Sequence, residues 1–165
     1  MSLQLAVLKD SKKGETRVSA TPETVKKYVA LGVQVEVEKG AGENAGFFDT
    51  AYEENGAKLV ASSEVGKSAD IVLSVNAPAS DVISSMKKGA VLLAMLDPHN
   101  QKDSVQAFAK NNIQAMAMEL MPRITRAQSM DVLSSQSNLA GYKSVLDATG
   151  EYGRALPMMM TAAGT

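Results

Sequence analysis

The sequence has no cysteine, a single histidine and no long apolar run, and each of these absences excludes a class of function. Without cysteine, a disulfide scaffold, a thiolate metal site and a cysteine nucleophile are impossible. One histidine, His99, excludes a histidine-rich metal site, and any Ser-His-Asp triad would have to use it. No stretch approaches the roughly 18 uninterrupted apolar residues that a membrane span needs. No basic leader precedes the short apolar run at the start, so we expect no secretory signal.

Charge is nearly balanced, with 17 lysines and arginines against 18 aspartates and glutamates. This balance gives no electrostatic reason to expect a nucleic-acid partner. Apolar residues make up 45% of the 165 residues, which is enough for a real core and argues against disorder. The length suits one domain of ordinary size.

Hydrophobic patterns alternate between strand-like and helix-like along the chain. Short apolar or period-two runs predict strands at 3–8, 33–38, 71–75, 90–96 and 113–118. Thr21-Pro22-Glu23 is typical of a helix start, and Gly32 of its end. Further helices are predicted at 49–55, 80–86, 101–111 and 137–148. Strand–helix alternation at this spacing predicts a doubly wound α/β fold, with a mostly parallel sheet and helices on both faces.

Arg17 lies in a charged loop that follows the first predicted strand. Open α/β folds bind ligands at the carboxyl ends of their strands, and an arginine there could hold a carboxylate or a phosphate. A solvated loop in front of a well-capped helix is the alternative, and the residues alone favour it.

Glycines at 40, 42 and 46 follow the second predicted strand and invite comparison with a phosphate-binding loop. The GxGxxG pattern is absent, however, and no suitable helix follows directly. A tight turn is therefore the better interpretation.

The segment Asp97-Pro98-His99-Asn100 follows the predicted strand at 90–96. A histidine at the carboxyl end of a strand is a candidate general base. Asp-Pro followed by two polar residues is also an ordinary turn, and the turn is the favoured reading.

The segment 123–138 is the most informative polar stretch. Arg123, Gln128, Asp131 and Ser134 could converge if a loop runs into a helix here. Such a set suits a neutral amide, because Gln and Ser can donate and accept hydrogen bonds and Asp accepts them from an NH₂ group. A polar-capped helix start is the alternative, and composition alone does not decide between them. Neither a metal site nor an activated nucleophile is suggested.

The run MELMPRITRAQSMDVLSSQSNLAGY, with PMMMTAAGT at the end, closely resembles the NAD(H)-binding alpha subunit of proton-translocating NAD(P) transhydrogenases. The opening, with GETRVSATPETVKKYVALG and VEKGAG, resembles the amino-terminal module that alanine dehydrogenases and transhydrogenases share. The resemblance covers essentially the whole chain. It implies the first of two subdomains that enclose NAD(H), with the glycine-rich pyrophosphate loop on a second subdomain that would follow residue 165.

The resemblance also implies a site. The family places an Arg, a Gln, an Asp and a Ser near the nicotinamide, and these match Arg123, Gln128, Asp131 and Ser134. Arg123 would orient the carboxamide and help to gate the site, and Gln128 would reach the ribose or the amide. Asp131 and Ser134 would fix the amide group of the ring. The cofactors do the chemistry, so the protein mainly brings two nicotinamide rings together.

Further expectations come from the resemblance alone. Residues 1–137 would form the amino-terminal α/β domain, and 138–165 a connecting helix and the start of the NAD-binding subdomain. The partners would be an NADP-binding beta subunit or domain, a membrane domain and a second copy in a homodimer. The location would be peripheral, on the cytoplasmic side of the inner membrane. The chain alone would be inactive or nearly so.

Two alternatives stay open. The first is an alanine dehydrogenase, which in this family uses a Lys in the strand at 71–75 and a His after the strand at 90–96. The corresponding positions here are Ser74 and Asp97, with His99 two residues further on. The loss of the Lys argues against amine–ketoacid chemistry. The second alternative is a truncated scaffold without activity.

Overall fold

The computed structural model describes residues 2–154, which divide after Leu120 into two compact units. Residues 2–120 form a six-stranded sheet whose strands are all parallel, in the order β3-β2-β1-β4-β5-β6. The strands are β1 (Gln4–Val7), β2 (Gln34–Glu38), β3 (Lys58–Val60), β4 (Ile71–Asn76), β5 (Val91–Met95) and β6 (Gln114–Ala117).

The helices of this unit connect successive strands. They are α1 (Pro22–Ala30), α2 (Asp49–Glu54), α3 (Ser80–Ser85) and α4 (Lys102–Lys110). The Thr21 side chain caps α1 by accepting a hydrogen bond from the Thr24 amide, and Pro22 takes the first helical position, as the sequence predicts. The chain builds β2 and β3 on one side of β1 and then returns to place β4 on the other side. The carboxyl ends of β1 and β4 therefore form a topological switch point.

Two apolar cores cover the two faces of the sheet, and alternate residues of β1 supply both. Leu5 and Val7 pack with Val25 of α1 and Tyr52 of α2. On the other face the core contains Ala6 and Leu8 of the β1 segment, Ile83 of α3 and Phe108 of α4. The predicted doubly wound α/β fold with helices on both faces is therefore confirmed.

Residues 121–154 contain a short 3-10 helix and one long helix, α5 (Val132–Glu151). The predicted start of this helix at residue 137 is wrong. The helix begins five residues earlier, because the Asp131 side chain caps it and overrides the weak helix propensity of the serine-rich first turns. The predicted domain boundary between 137 and 138 falls inside α5 and stays a prediction.

One strand was not predicted. β3 has only three residues, too few for a period-two pattern to emerge, and it is ordered by pairing with β2. The strand or linker expected at 157–165 lies outside the described residues. None of the helices in residues 2–154 combines the length and apolar character that a membrane span requires.

Candidate functional site

The four predicted site residues lie on one short segment, at the start of α5 and just before it. Arg123 precedes a 3-10 helix that runs from Thr125 to Met130 and contains Gln128. Asp131 follows this helix as the N-cap of α5, and Ser134 lies in the first turn of α5. The fold of this segment therefore matches the loop running into a helix that the sequence suggests.

Asp131 and Ser134 are in direct contact. The Asp131 Oδ1 accepts a hydrogen bond of 3.0 Å from the Ser134 amide, and the Asp131 Oδ2 accepts one of 2.6 Å from the Ser134 hydroxyl. The Ser134 hydroxyl, followed by its backbone amide, lowers the pKa of the Asp131 carboxyl. This cap fixes the carboxylate at the N-terminal end of the helix.

Arg123 and Gln128 are less tightly held. Both are exposed, whereas Asp131 is half-buried. The charge of Arg123 is one of the smaller causes of the lowered pKa of Asp131, so the guanidinium lies within electrostatic reach of that carboxylate. The Gln128 carbonyl oxygen accepts a hydrogen bond of 3.3 Å from the Asp131 amide, while its side chain is turned to solvent.

The side chains of this segment can recognise a ligand through hydrogen bonds. A guanidinium, a carboxamide and a hydroxyl can donate hydrogen bonds, and the carboxylate accepts them, which is the set that a ligand amide requires. In residues 2–154 no three His, Asp or Glu side chains are grouped so as to hold a metal ion. The Asp131 carboxylate, whose pKa is lowered, is too weak a base to activate the Ser134 hydroxyl that it contacts.

Arg17 binds a residue of its own loop. The Glu15 carboxylate receives a bidentate pair of hydrogen bonds from Arg17, from Nε and from one terminal nitrogen, both of 2.7 Å. The Arg17 side chain is the largest cause that lowers the pKa of Glu15 to about 2. The fork that could hold a ligand carboxylate or phosphate is thus engaged within the loop.

The sequence did not predict the other hydrogen bonds of this loop, which are made by Asn76. The Asn76 side-chain amide donates hydrogen bonds to Asp10, at 3.1 Å, and to Glu15, at 2.9 Å. These contacts join the loop after β1 to the end of β4 at the switch point. A polar residue at the end of a predicted strand was a usable signal, because the ends of parallel strands meet at one edge of a sheet.

The glycine segment after β2 is a turn, as its sequence favours. A Cβ atom on Gly42 would lie 2.7 Å from the Phe47 carbonyl oxygen and 2.7 Å from the Tyr52 hydroxyl. This glycine is therefore required for close packing. The Tyr52 hydroxyl donates to the Ala20 carbonyl oxygen at 2.9 Å, and burial raises the pKa of Tyr52 to about 12.

The segment after β5 is also a turn. The Asp97 carbonyl oxygen accepts hydrogen bonds from the amides of Asn100 and Gln101, and Asp97 adopts a positive φ of 46°. Its amide, with that of Leu96, donates to the Glu119 carboxylate. His99 is exposed on this turn. The geometry agrees with the turn that the sequence favours over a general base.

The known proteins that this chain resembles belong to one family. Residues 6–140 match the family model described as the N-terminal domain of alanine dehydrogenase/PNT. The chain is 48% identical over 169 aligned residues to the first portion of the NAD(P) transhydrogenase alpha subunit of Rhodospirillum rubrum, covering 99% of this chain and 44% of the relative. It is 33% identical over 142 residues to "Alanine dehydrogenase 1" of Staphylococcus aureus, covering 86% of this chain and 37% of that protein.

A solved structure supports the same family relationship. The transhydrogenase from Sinorhizobium meliloti superposes with a TM-score of 0.87 at 49% identity, covering 98% of this chain and 48% of that one. This chain thus spans about half the length of these relatives or less. The family match over residues 6–140, the identities and the parallel sheet point the same way. The chain therefore belongs to the alanine dehydrogenase/PNT family and carries its N-terminal domain.

Proposed function

We propose that this chain belongs to an NAD(P) transhydrogenase, an oxidoreductase that transfers hydride between NADH and NADP⁺ and couples the transfer to proton translocation. The observation that carries the proposal is the identity of 48% over 99% of the chain to a transhydrogenase subunit, against 33% over 86% to an alanine dehydrogenase. The chemistry of the residues supports it further. Ser74 and Asp97 stand where an alanine dehydrogenase would have a Lys and a His.

The proposed binding site is the cap region of α5. Bound NADH supplies the hydride, and the chain orients its nicotinamide. Arg123 donates to the carboxamide oxygen and helps to gate the site, and Gln128 contacts the ribose or the amide. Asp131 accepts hydrogen bonds from the amide NH₂ on its remaining lone pairs, and Ser134 holds this carboxylate in place. The site residues fit the carboxamide in both donors and acceptors.

The complete enzyme extends beyond this chain in the proposal. Residues 1–137 form the first subdomain, and 138–165 lead into a second one that carries the glycine-rich pyrophosphate loop at a helix N-terminus. NADP⁺ binds to a beta subunit or domain, and a membrane domain moves the proton. The assembly is a homodimer that lies on the cytoplasmic side of the inner membrane.

The test is Arg123→Ala in the complete alpha subunit, assembled with its partners. Hydride transfer from NADH to an NADP⁺ analogue should fall about 100-fold, because misplaced reactants lose the advantage of orientation. NADH binding measured by calorimetry should persist. Arg126→Ala, which alters an exposed arginine in the 3-10 helix that follows Arg123, is the matched control and should retain the wild-type rate. Equal rates for the two variants would refute the role of Arg123.

Two measurements separate the alternatives. Alanine-dependent reduction of NAD⁺ by the complete subunit would support the alanine dehydrogenase reading, and we expect none. Calorimetry of residues 1–165 alone should detect weak NADH binding or none, since the pyrophosphate loop is not in this stretch. Submicromolar binding by this stretch alone would overturn the assignment of the principal nucleotide contacts to a second subdomain.

A further inference from the structure

The Glu119 carboxylate binds the backbone just after β5. Glu119 lies in a 3-10 turn, Met118–Leu120, which follows β6 directly, and it is half-buried. Its Oε1 accepts hydrogen bonds from the amides of Leu96, at 2.9 Å, and of Asp97. Its Oε2 adds a longer contact of 3.2 Å to the Leu96 amide. Hydrogen bonds from amides to a carboxylate are among the stronger ones in proteins, so this contact joins the ends of β5 and β6 firmly.

This carboxylate replaces a strand partner that the sheet no longer supplies. The last paired residues of β5 and β6 are Ala94 and Ala117, so Leu96 and Asp97 lie beyond the ladder. Backbone amides need an acceptor where a ladder has stopped, and a side chain can supply one. Glu119 does so from two residues past the end of β6. The contact thus extends the junction between β5 and β6 past the last strand pair.

The backbone that Glu119 holds is strained. Asp97 has a positive φ of 46°, a region that residues other than glycine seldom adopt. Pro98 follows it, and residues before a proline favour extended backbone. Strained backbone persists only where the surrounding contacts impose it, and it is commonest at functional sites. Two contacts impose it here: the Asp97 amide donates to Glu119, and the Asp97 Oδ1 accepts a hydrogen bond of 2.9 Å from the Asn100 side-chain amide.

Little chain separates Glu119 from Arg123. Residues 120–122 connect the two, and four residue steps can span at most about 14 Å. Pro122 removes one rotation from this connection, because its ring fixes φ. The Ile124 amide donates to the Pro122 carbonyl oxygen at 3.0 Å, which turns the chain at Arg123 itself. Arg123 therefore stays within a short radius of the junction that Glu119 makes.

We propose that Glu119 is a positioning residue for hydride transfer, because it fixes the point from which the chain presents Arg123 to the nicotinamide. The inference rests on the proposed function, which assigns Arg123 to the carboxamide. Loss of the Glu119 carboxylate releases the turn after β5 and widens the range of positions open to Arg123. A guanidinium that is less often in place slows the reaction of bound NADH more than it weakens binding, because the other contacts to the dinucleotide are unchanged.

The kinetic test is Glu119→Gln in the complete alpha subunit, assembled with its partners. Glutamine keeps the size of the side chain but offers a neutral acceptor, and its NH₂ group cannot accept from an amide. The kcat for hydride transfer from NADH should fall about tenfold, whereas the KM for NADH should change by less than about twofold. Glu119→Asp keeps the charge and should recover part of the lost rate. Glu54→Gln, which alters an exposed glutamate of α2, is the control and should match the wild type.

A second measurement separates this inference from the proposed function. In residues 1–165 labelled with ¹⁵N, Glu119→Gln should shift the amide signals of Leu96 and Asp97, which lose their charged acceptor, and also those of Arg123 and Ile124. If the wild-type enzyme transferred no hydride, the proposed function would fail, and these signals would still test whether Glu119 positions Arg123. An unchanged kcat in Glu119→Gln, or shifts confined to Leu96 and Asp97, would overturn the role of Glu119.

Discussion

Residues 2–120 and residues 121–154 are stabilised in different ways. The first region buries side chains on both faces of its sheet, among them Val7, Ile83 and Leu92. In the second region Ala127 is the one described residue that is buried, and α5 has none. Long-range packing therefore holds the first region, whereas local hydrogen bonds such as the Asp131 cap order the second. The proposed nicotinamide contacts lie on the locally ordered region, the kind of element that opens at low free-energy cost.

The largest expected effect comes from Leu92→Ala in β5. This side chain is fully buried, so its truncation removes apolar contacts and leaves a cavity. The free energy of unfolding, measured by urea denaturation followed by circular dichroism, should fall by about 3 kcal/mol. Leu139→Ala on α5, where the side chain is 58% exposed, should change it by no more than about 0.5 kcal/mol. Similar losses of unfolding free energy in the two variants would contradict the inferred difference in stabilisation between the two regions.

A smaller effect is expected at the carboxyl ends of the central strands, where charged hydrogen bonds join the loop after β1 to the end of β4. The pKa of Glu15 is lowered from 4.5 to about 2, so its ionised form stabilises the fold. This contribution is complete above the ordinary pKa and is lost as the pH falls towards 2. Glu15→Gln should cost about 2 kcal/mol near neutral pH.

The pH profile sharpens this prediction. Urea denaturation at a series of pH values should give a variant whose stability falls less steeply than that of the wild type between about 4.5 and about 2. Glu23→Gln, at an exposed ion pair on α1, is the control and should follow the wild-type profile closely. Parallel profiles for the wild type and Glu15→Gln would show that Glu15 contributes nothing to acid sensitivity.

The smallest effect on global stability is expected from Asp131→Ala, because it acts on the second region alone. The first turn of α5 loses its cap, so hydrogen exchange at the amides of residues 133–135 should accelerate several-fold. Asp131→Asn keeps a capping oxygen and should stay near the wild-type rate. Faster exchange throughout β4 and β5 in Asp131→Ala would mean that the two regions share one cooperative unit.

Sequence patterns predicted most of the first region and less of the second. Five strands and the helices between them followed from apolar runs and breakers, because burial in a parallel sheet demands continuous hydrophobicity. β3 was not predicted, because its three residues form a strand through pairing with β2 and carry no recognisable strand pattern of their own. The start of α5 is set by the Asp131 side chain. From the sequence alone, an aspartate that caps a helix cannot be distinguished from an aspartate that contacts a ligand. The half-buried hydrogen bonds among Asp10, Glu15 and Asn76 could be predicted only from the strand order, which no local pattern contains.

The central place of β1 has a consequence for how the sheet is assembled. β1 is flanked by β2 and β4, and the Asp70 carboxylate accepts a hydrogen bond from the Gln4 amide across 66 residues of chain. The first strand to be synthesised therefore cannot complete its pairing until β4 has emerged. Such a distant contact is formed only after a large loss of chain entropy, which slows folding. Disruption of β1 would leave β3-β2 and β4-β5-β6 as two unconnected sheets.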